Sequence, residues 1–503
     1  MPYMSVSAIN SAVDYIAATY PAIAQPVALP EPSVEARPIK ALKIANGTGA
    51  NRTGMLFLGG THARELINPE TVVSFALRLC DAYTHNTGLT FGPKSYEPSA
   101  IQVVVNGLDI FLLPMVNPDG REFCLAPGGY AMWRKNRRPP SGAACPGLPA
   151  NRKHGVDLNR NYDILWSSGI GTSSDSCNDI YKGPSAFSEP ETRNVRWMID
   201  SFPNIACMID IHSYGELVLH PWGDDENQTT TPSQNFQNPA FDGLRGIVGS
   251  GYREYIPAED LDAHVAAGER IRNGIAAVRG RTYTAQQSIF LYPTSGTTHD
   301  FAYARKFVDT GRRRILAFTV ETAREFQPVD SEKDQVMTEV SAGLMESLLE
   351  TLCPAEAVQA LIDAIFPLQS MRDVRDRHML KTAGGKRYER LLHAHAVEIV
   401  RLIQADDAAL KAAAALLGVA GRFVTDQGVS SRKITKGDLT EVAQTLAVFR
   451  KRASRALKAA IDGAGADLKK TQGRTLTSTF KALDQRKRLQ KRKPPTRAAR
   501  PRK

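Results

Sequence analysis

The chain has 503 residues, 42% of them hydrophobic, and a formal charge of +11. That length suits two or three domains with a large core, and no apolar run approaches the roughly 18 residues of a membrane-spanning helix. The opening stretch, Met1-Pro2-Tyr3-Met4-Ser5-Val6-Ser7, has neither the basic start nor the apolar core of a signal peptide, so a cytoplasmic location is expected, with export by another route left open.

Up to about residue 325, strand-like and helix-like segments alternate. Helical patterns occupy 7–20, 69–83, 189–201 and 262–278; strand-like runs occupy 39–44, 55–58, 110–116, 205–211 and 315–320. Several of these runs are apolar almost throughout, as strands covered on both faces by helices are. The expected fold is α/β, a mixed and mostly parallel central sheet flanked by helices, over residues 1–328. From there the texture changes. Met337, Val340, Leu344, Leu348 and Leu352 step at three to four residues, and 391–403, 408–417 and 439–461 continue the pattern. Asp438 with Glu441 reads as a capping box for the last of these. A second, all-helical domain over 329–468 is expected. The segment 469–503 reads as a basic disordered tail, because it lacks the apolar content to fold. Residues 481–503 hold eleven Lys and Arg against the single acid Asp484, so nearly all the charge imbalance is local. This stretch could contact a polyanion through charge alone.

Six cysteines show no CxxC spacing, so no thiolate zinc site is indicated. Cys145 and Cys177 lie in Gly/Ser/Pro-rich loops and could pair, although a cytosolic setting argues against it.

The densest chemistry lies in Gly59-Gly60-Thr61-His62-Ala63-Arg64-Glu65. It follows the apolar run Met55-Leu56-Phe57-Leu58 and precedes Asn68-Pro69-Glu70, which reads as a helix start with Asn68 as the cap. His62 and Glu65 thus sit where a strand turns toward a helix, and both can face one point, as two ligands of a zinc ion would. His212, in Asp210-Ile211-His212-Ser213-Tyr214, ends another apolar strand and is the candidate third ligand. Open α/β sheets present strand ends to a common crevice, so distant residues can meet there. The remaining histidines suggest no second metal: His393 and His395 are two apart on a predicted helix and point to different faces.

Further stretches add to this set. They are Asn117-Pro118-Asp119-Gly120, Trp133-Arg134-Lys135-Asn136, Gly155-Val156-Asp157-Leu158-Asn159-Arg160-Asn161, Leu291-Tyr292 through His299-Asp300-Phe301, and Thr319-Val320-Glu321-Thr322. Taken in order, they resemble the zinc carboxypeptidases of the A/B type, a resemblance that reaches from the N-terminus to about residue 326. It implies a metalloprotease that hydrolyses the last peptide bond of peptides or proteins and holds one zinc ion per chain. His62, Glu65 and His212 would be the ligands, and Asp157 would orient the His62 imidazole. A zinc-activated water would attack, with Glu321 as general base and Arg134 stabilising the oxyanion. Asn159 and Arg160 would hold the terminal carboxylate, Arg64 and Tyr214 would lie along the peptide, and Tyr292 would close over the end.

In the family, the position seven after the closing Tyr forms the floor of the terminal side-chain pocket. Here it is His299, neither apolar nor acidic. Neutral, it would suit polar or aromatic termini; protonated, acidic ones; alternatively it packs on Asp300 alone. Weak activity on Lys and Arg termini is expected. Cys145 and Cys177 fall in loops where secreted members carry a disulfide, and the insertion 139–153 lies near the cleft mouth. The alternative function is a zinc amidase of the same fold acting on acidic or cell-wall-derived peptides; a different class is a polyanion-binding protein working through its basic segment.

Overall fold

The computed structural model describes residues 3–47, 52–140, 145–152, 155–247, 249–352 and shorter stretches between 386 and 479, the longest being 431–475. Eight strands form the central sheet: β1 (Ala24–Val27), β2 (Ala41–Ile44), β3 (Thr53–Gly59), β4 (Leu108–Leu113), β5 (Ile205–Ser213), β6 (Leu217–His220), β7 (Thr284–Gln287) and β8 (Leu316–Thr322). Their order is β1-β2-β4-β3-β5-β8-β6-β7. The central strands β4, β3, β5 and β8 run parallel, while β2 and β6 pair antiparallel with β4 and β8. Every residue of β3 and β4 is buried, which is why these segments carry no alternation of apolar and polar side chains.

The helices α1 (Val6–Thr19), α2 (Ile67–His85), α5 (Pro190–Ser201) and α6 (Ala258–Arg279) match the four helical patterns within a few residues. Three shorter ones, α3 (Pro98–Gly107), α4 (Pro118–Leu125) and α7 (Thr298–Val308), had no clear apolar period to announce them.

Helix α8 (Asp330–Thr351) moves the expected boundary. Residues Met1–Leu352 form one compact unit, so the division falls at Leu352 rather than at 328. The apolar stripe of α8 is a face of the α/β unit, packed on α6. A Cβ on Gly343 would lie 2.8 Å from Ile275 Cγ1, and one on Gly274 would lie 2.6 Å from Glu346 Cγ. The two glycines therefore set how closely these helices approach. Arg279 pairs with Glu332 at 2.7 Å and with Glu339, and Arg270 pairs with Glu346 at 2.9 Å.

In the second unit, Cys353–Lys503, the helix Lys436–Arg452 is capped by Thr435 reciprocally with Asp438. The capping box is real but begins three residues before the expected one. The expected 439–461 helix is broken after Arg452, where Ser454 caps a new helix, Arg455–Leu468. The expected helices 391–403 and 408–417 lie mostly, and the basic segment 481–503 wholly, outside the described residues.

Cys145 and Cys177 are disulfide-bonded, with Cα atoms 5.5 Å apart. The bond closes the loop that carries Asp157, Asn159 and Arg160. Cys80, Cys124 and Cys207 are free and buried.

One buried acid ties the Trp133–Arg138 segment to α5. Asn136 Nδ2 donates to Glu189 at 2.7 Å and to Glu191 at 3.1 Å, and the Val34 N–H donates to Glu191 at 3.1 Å. Burial, with Glu189 adding to it, pushes the Glu191 carboxyl up to about 8. The folded state therefore keeps a proton that the unfolded chain releases near pH 4.3, an ordinary glutamate value, to about the precision of that reference. Stability from this group is full on the acid side and falls as pH rises from there toward 8. Glu191→Gln should flatten that decline, so its melting temperature relative to wild type should rise between pH 5 and pH 8. A difference that stays constant with pH would contradict this.

Candidate active site

The parallel arrangement of β3, β5 and β8 aligns three chain segments at one sheet edge. Gly59 pairs with Ile211 and His212 with Glu321. Past Gly59 the chain turns at Gly60, whose φ of +66° and whose 2.8 Å distance from Pro69 Cγ to an added Cβ leave room only for glycine. The turn delivers His62 and Glu65 to the end of β5, where His212 waits.

The geometry there is specific. His62 Nδ1 lies 2.7 Å from Glu65 Oε1 and 3.0 Å from His212 Nδ1, and His212 Nδ1 lies 3.2 Å from Glu65 Oε2. The opposite ring nitrogens face acids: His62 Nε2 is 3.1 Å from Asp157 Oδ1, and His212 Nε2 is 3.0 Å from Asp210 Oδ2. Each acid holds a proton on the Nε2 that faces it, so both Nδ1 atoms present lone pairs to the same point. Two lone pairs and a carboxylate that converge in a buried place require a cation between them. One donor atom from each of His62, Glu65 and His212 falls within 4.8 Å of the others. Two imidazoles and a carboxylate are a donor set suited to catalytic zinc. Burial favours the neutral form of Glu65, but His62 and His212 outweigh it and hold the carboxyl below its ordinary range.

Supporting groups fix these ligands. Glu65 Oε2 accepts from Ser213 N–H at 3.0 Å and from Asn68 Nδ2 at 3.4 Å. Asn68 is not the helix cap its sequence context suggests: α2 begins at Ile67, and Thr322 Oγ1 donates to the Asn68 carbonyl oxygen at 3.2 Å. Asp210 was not anticipated. The signal was available, since residues two apart on a strand share a face, and Asp210 and His212 do. Asp157 accepts from Arg134 Nε at 3.0 Å and from Asn159 N–H at 3.0 Å. Burial would raise the Asp157 pKa, but Arg134, His62 and Arg160 hold it well below the carboxylate range.

Around this centre stand the other expected residues. Glu321, half-buried at the end of β8, is pushed up to about 8 by burial, with Glu65 and Asp210 adding and His212 and Arg134 opposing. Arg160 is buried and held by Gly171 O at 2.9 Å and Asn159 O at 2.7 Å. The Asn159 carbonyl oxygen is occupied by Thr298 N–H and hydroxyl, so its NH2 is the end with donors to spare. Tyr292 is 45% exposed, with its ring 5.9 Å from the Arg160 guanidinium. Tyr214, also exposed, stacks edge-on against Phe326 at 4.8 Å, and the Arg64 guanidinium covers the same ring at 4.1 Å. His299 is buried, with Nδ1 2.9 Å from Thr319 Oγ1.

Residues 9–342 match the family model described as zinc carboxypeptidase. The chain belongs to the zinc carboxypeptidase family. It is 36% identical over 229 residues to carboxypeptidase B of Helicoverpa zea, a match covering 44% of this chain and 47% of that protein. It is 32% identical over 260 residues to carboxypeptidase B of Astacus astacus, covering 50% of this chain and 75% of that one. Among solved structures, thrombin activatable fibrinolysis inhibitor superposes with a TM-score of 0.54 at 22% identity, covering 70% of this chain and 74% of that one. Carboxypeptidase A from Helicoverpa armigera superposes with a TM-score of 0.52 at 23% identity, with the same coverages. At those identities the superpositions establish the fold. The zinc that defines the family matches the donor set of His62, Glu65 and His212.

Proposed function

We propose that this family member is a metallocarboxypeptidase that removes one residue at a time from the C-terminus of peptides or proteins. The observation that carries the reading is the juxtaposition of a three-donor metal centre with Glu321 on one side and with Asn159 and Arg160 on the other. Zinc at the three donors would polarise the scissile carbonyl and lower the pKa of water. Glu321 is suited to take a proton from the attacking water and return it to the leaving nitrogen, because burial places its pKa near the working pH. Arg134, kept in place by Asp157, is positioned to meet the charge that develops on the carbonyl oxygen only in the transition state. Arg160 and Asn159 supply donors for a free carboxylate, which makes the site an exopeptidase rather than an endopeptidase. Tyr292 is free to close over the bound end. A zinc amidase for acidic peptides gains no support from His299, which burial pushes down to about 3 and so keeps uncharged.

The test is hydrolysis of N-blocked dipeptides beside their C-terminally amidated twins, with and without a zinc chelator. Chelator-sensitive release from the free acids alone is expected. Glu321→Gln should lower kcat by about a hundredfold or more with zinc content unchanged. Arg160→Met should cut kcat/KM on free acids by about tenfold to a hundredfold and leave the amides unaffected. Equal turnover of acids and amides would sink the reading.

We also infer an oxidising compartment, opposite to the cytoplasmic expectation. The Cys145–Cys177 bond supports it, because such bonds are rare in reducing cytoplasm. Alkylation of both thiols in unreduced protein taken from its native source would overturn it.

A further inference from the structure

A group of buried polar atoms without partners lies beside the carboxylate clamp. Thr294 Oγ1, His299 Nε2, Asp300 Oδ1 and Asp224 Oδ2 are buried and make no hydrogen bond. Two of these residues meet at Gly223. Gly223 N–H donates to Asp300 Oδ2 at 3.1 Å, and Thr294 N–H donates to Gly223 O at 2.7 Å. A Cβ at position 223 would lie 2.5 Å from Thr294 Oγ1, 2.9 Å from Asp300 Oδ2 and 3.4 Å from Ser288 Oγ. The absent side chain leaves open a space walled by hydroxyls and a carboxyl.

Three links place this space next to the reacting centre. Thr319, which holds His299 Nδ1, precedes Glu321 by two residues on β8 and so shares its face. Thr298, the residue before His299, donates twice to Asn159 Oδ1, at 2.8 and 3.0 Å. Gly296, in the same loop, packs so tightly that an added Cβ would lie 2.5 Å from Arg160 O. A terminal residue anchored on Asn159 and Arg160, with its carbonyl beside Glu321, has His299 and Gly223 beneath its side chain.

The chemistry of these walls discriminates. An unpaired buried polar atom costs about 1–3 kcal/mol, which a hydrogen-bonding ligand recovers and an apolar one does not. An acidic side chain finds no spare cation, since the His299 imidazole is uncharged and Arg160 is committed to the main-chain carboxylate. Asp300 Oδ2 already accepts from Gly223 N–H and from Thr297 Oγ1 at 2.9 Å, while Oδ1 lies 3.4 Å from His299 Nε2. Burial pushes Asp300 up to about 7, so it holds its charge weakly. Lys brings three donors and Arg five to a floor whose one facing carboxyl has a single oxygen left. His299 Nε2 and Asp300 Oδ1 together offer one donor and one acceptor, with Thr294 Oγ1 able to act as either. A carboxamide offers the same two roles in return.

Resting on the carboxypeptidase reading, we propose that Gly223, Thr294, His299 and Asp300 form the pocket for the terminal side chain and select uncharged hydrogen-bonding termini, Gln and Asn foremost, over apolar and charged ones.

The experiment measures kcat/KM of the zinc-loaded full chain on N-blocked dipeptides that share one penultimate residue and end in Gln, Asn, Thr, Leu, Phe, Lys, Arg or Glu. Gln or Asn should exceed Leu, Lys and Glu by about tenfold or more, as sites built around hydrogen bonds reject analogues lacking them. His299→Leu should erase that preference and raise turnover of the Leu substrate, while His299→Gln should retain it. Thr294→Val, close in volume, should lower the carboxamide substrates selectively and serves where His299→Leu fails to fold by circular dichroism. Chelator-sensitive turnover that is fastest on Leu, Phe, Lys, Arg or Glu termini overturns the pocket assignment and leaves the carboxypeptidase reading standing. An unchanged preference in folded His299→Leu or Thr294→Val also overturns it. No chelator-sensitive turnover on any peptide overturns the reading beneath it.

Discussion

Two imidazole nitrogens 3.0 Å apart, each with its lone pair turned toward the other, are the constraint that organises this fold. Left without a positive charge between them they repel, and burial deprives them of water that could intervene. Glu65 closes the third side, and Asp157 and Asp210 hold the outer nitrogens so that neither ring can turn away. Such a cluster opposes folding by itself. It is tolerable only as a place for a cation, and everything nearby keeps it in that state.

The sheet supplies the rigidity. His62, His212 and Glu321 come from the ends of three adjacent parallel strands whose residues are nearly all buried, so their spacing follows from strand registry rather than from loops. Loops bring the groups that meet the substrate: Arg134 and Arg160 lie on the segments around Asp157, one of them closed by a disulfide. Metal ligands on strands and substrate contacts on loops divide the labour between precision and variation.

Much of the site is legible from the residues alone because strand ends announce themselves. An apolar run followed by Gly59-Gly60 and then His62 and Glu65 states both the end of a strand and the chemistry beyond it. Asp210 was missed because attention to the ligand stopped at His212, although alternation along the strand placed both on one face. Asn68 misled because Asn before Pro is a common helix start; here tertiary contacts to Glu65 and Thr322 claimed its side chain first. The boundary near residue 328 misled for a similar reason. Helical period in 330–351 says that one face is buried, but not against what, and its partner is α6 rather than later sequence. The orphaned atoms around Gly223 could not be read from sequence, since they depend on a loop, a helix start and a strand meeting at one point.

The most direct test is the zinc content of purified full-length chain after equilibration with zinc and dialysis. The account predicts one bound zinc per chain, its loss in His62→Ala and in His212→Ala, and affinity lowered about tenfold to a hundredfold in Asp157→Asn. Folded wild-type protein that holds no zinc, or His62→Ala protein that keeps it, would contradict the account.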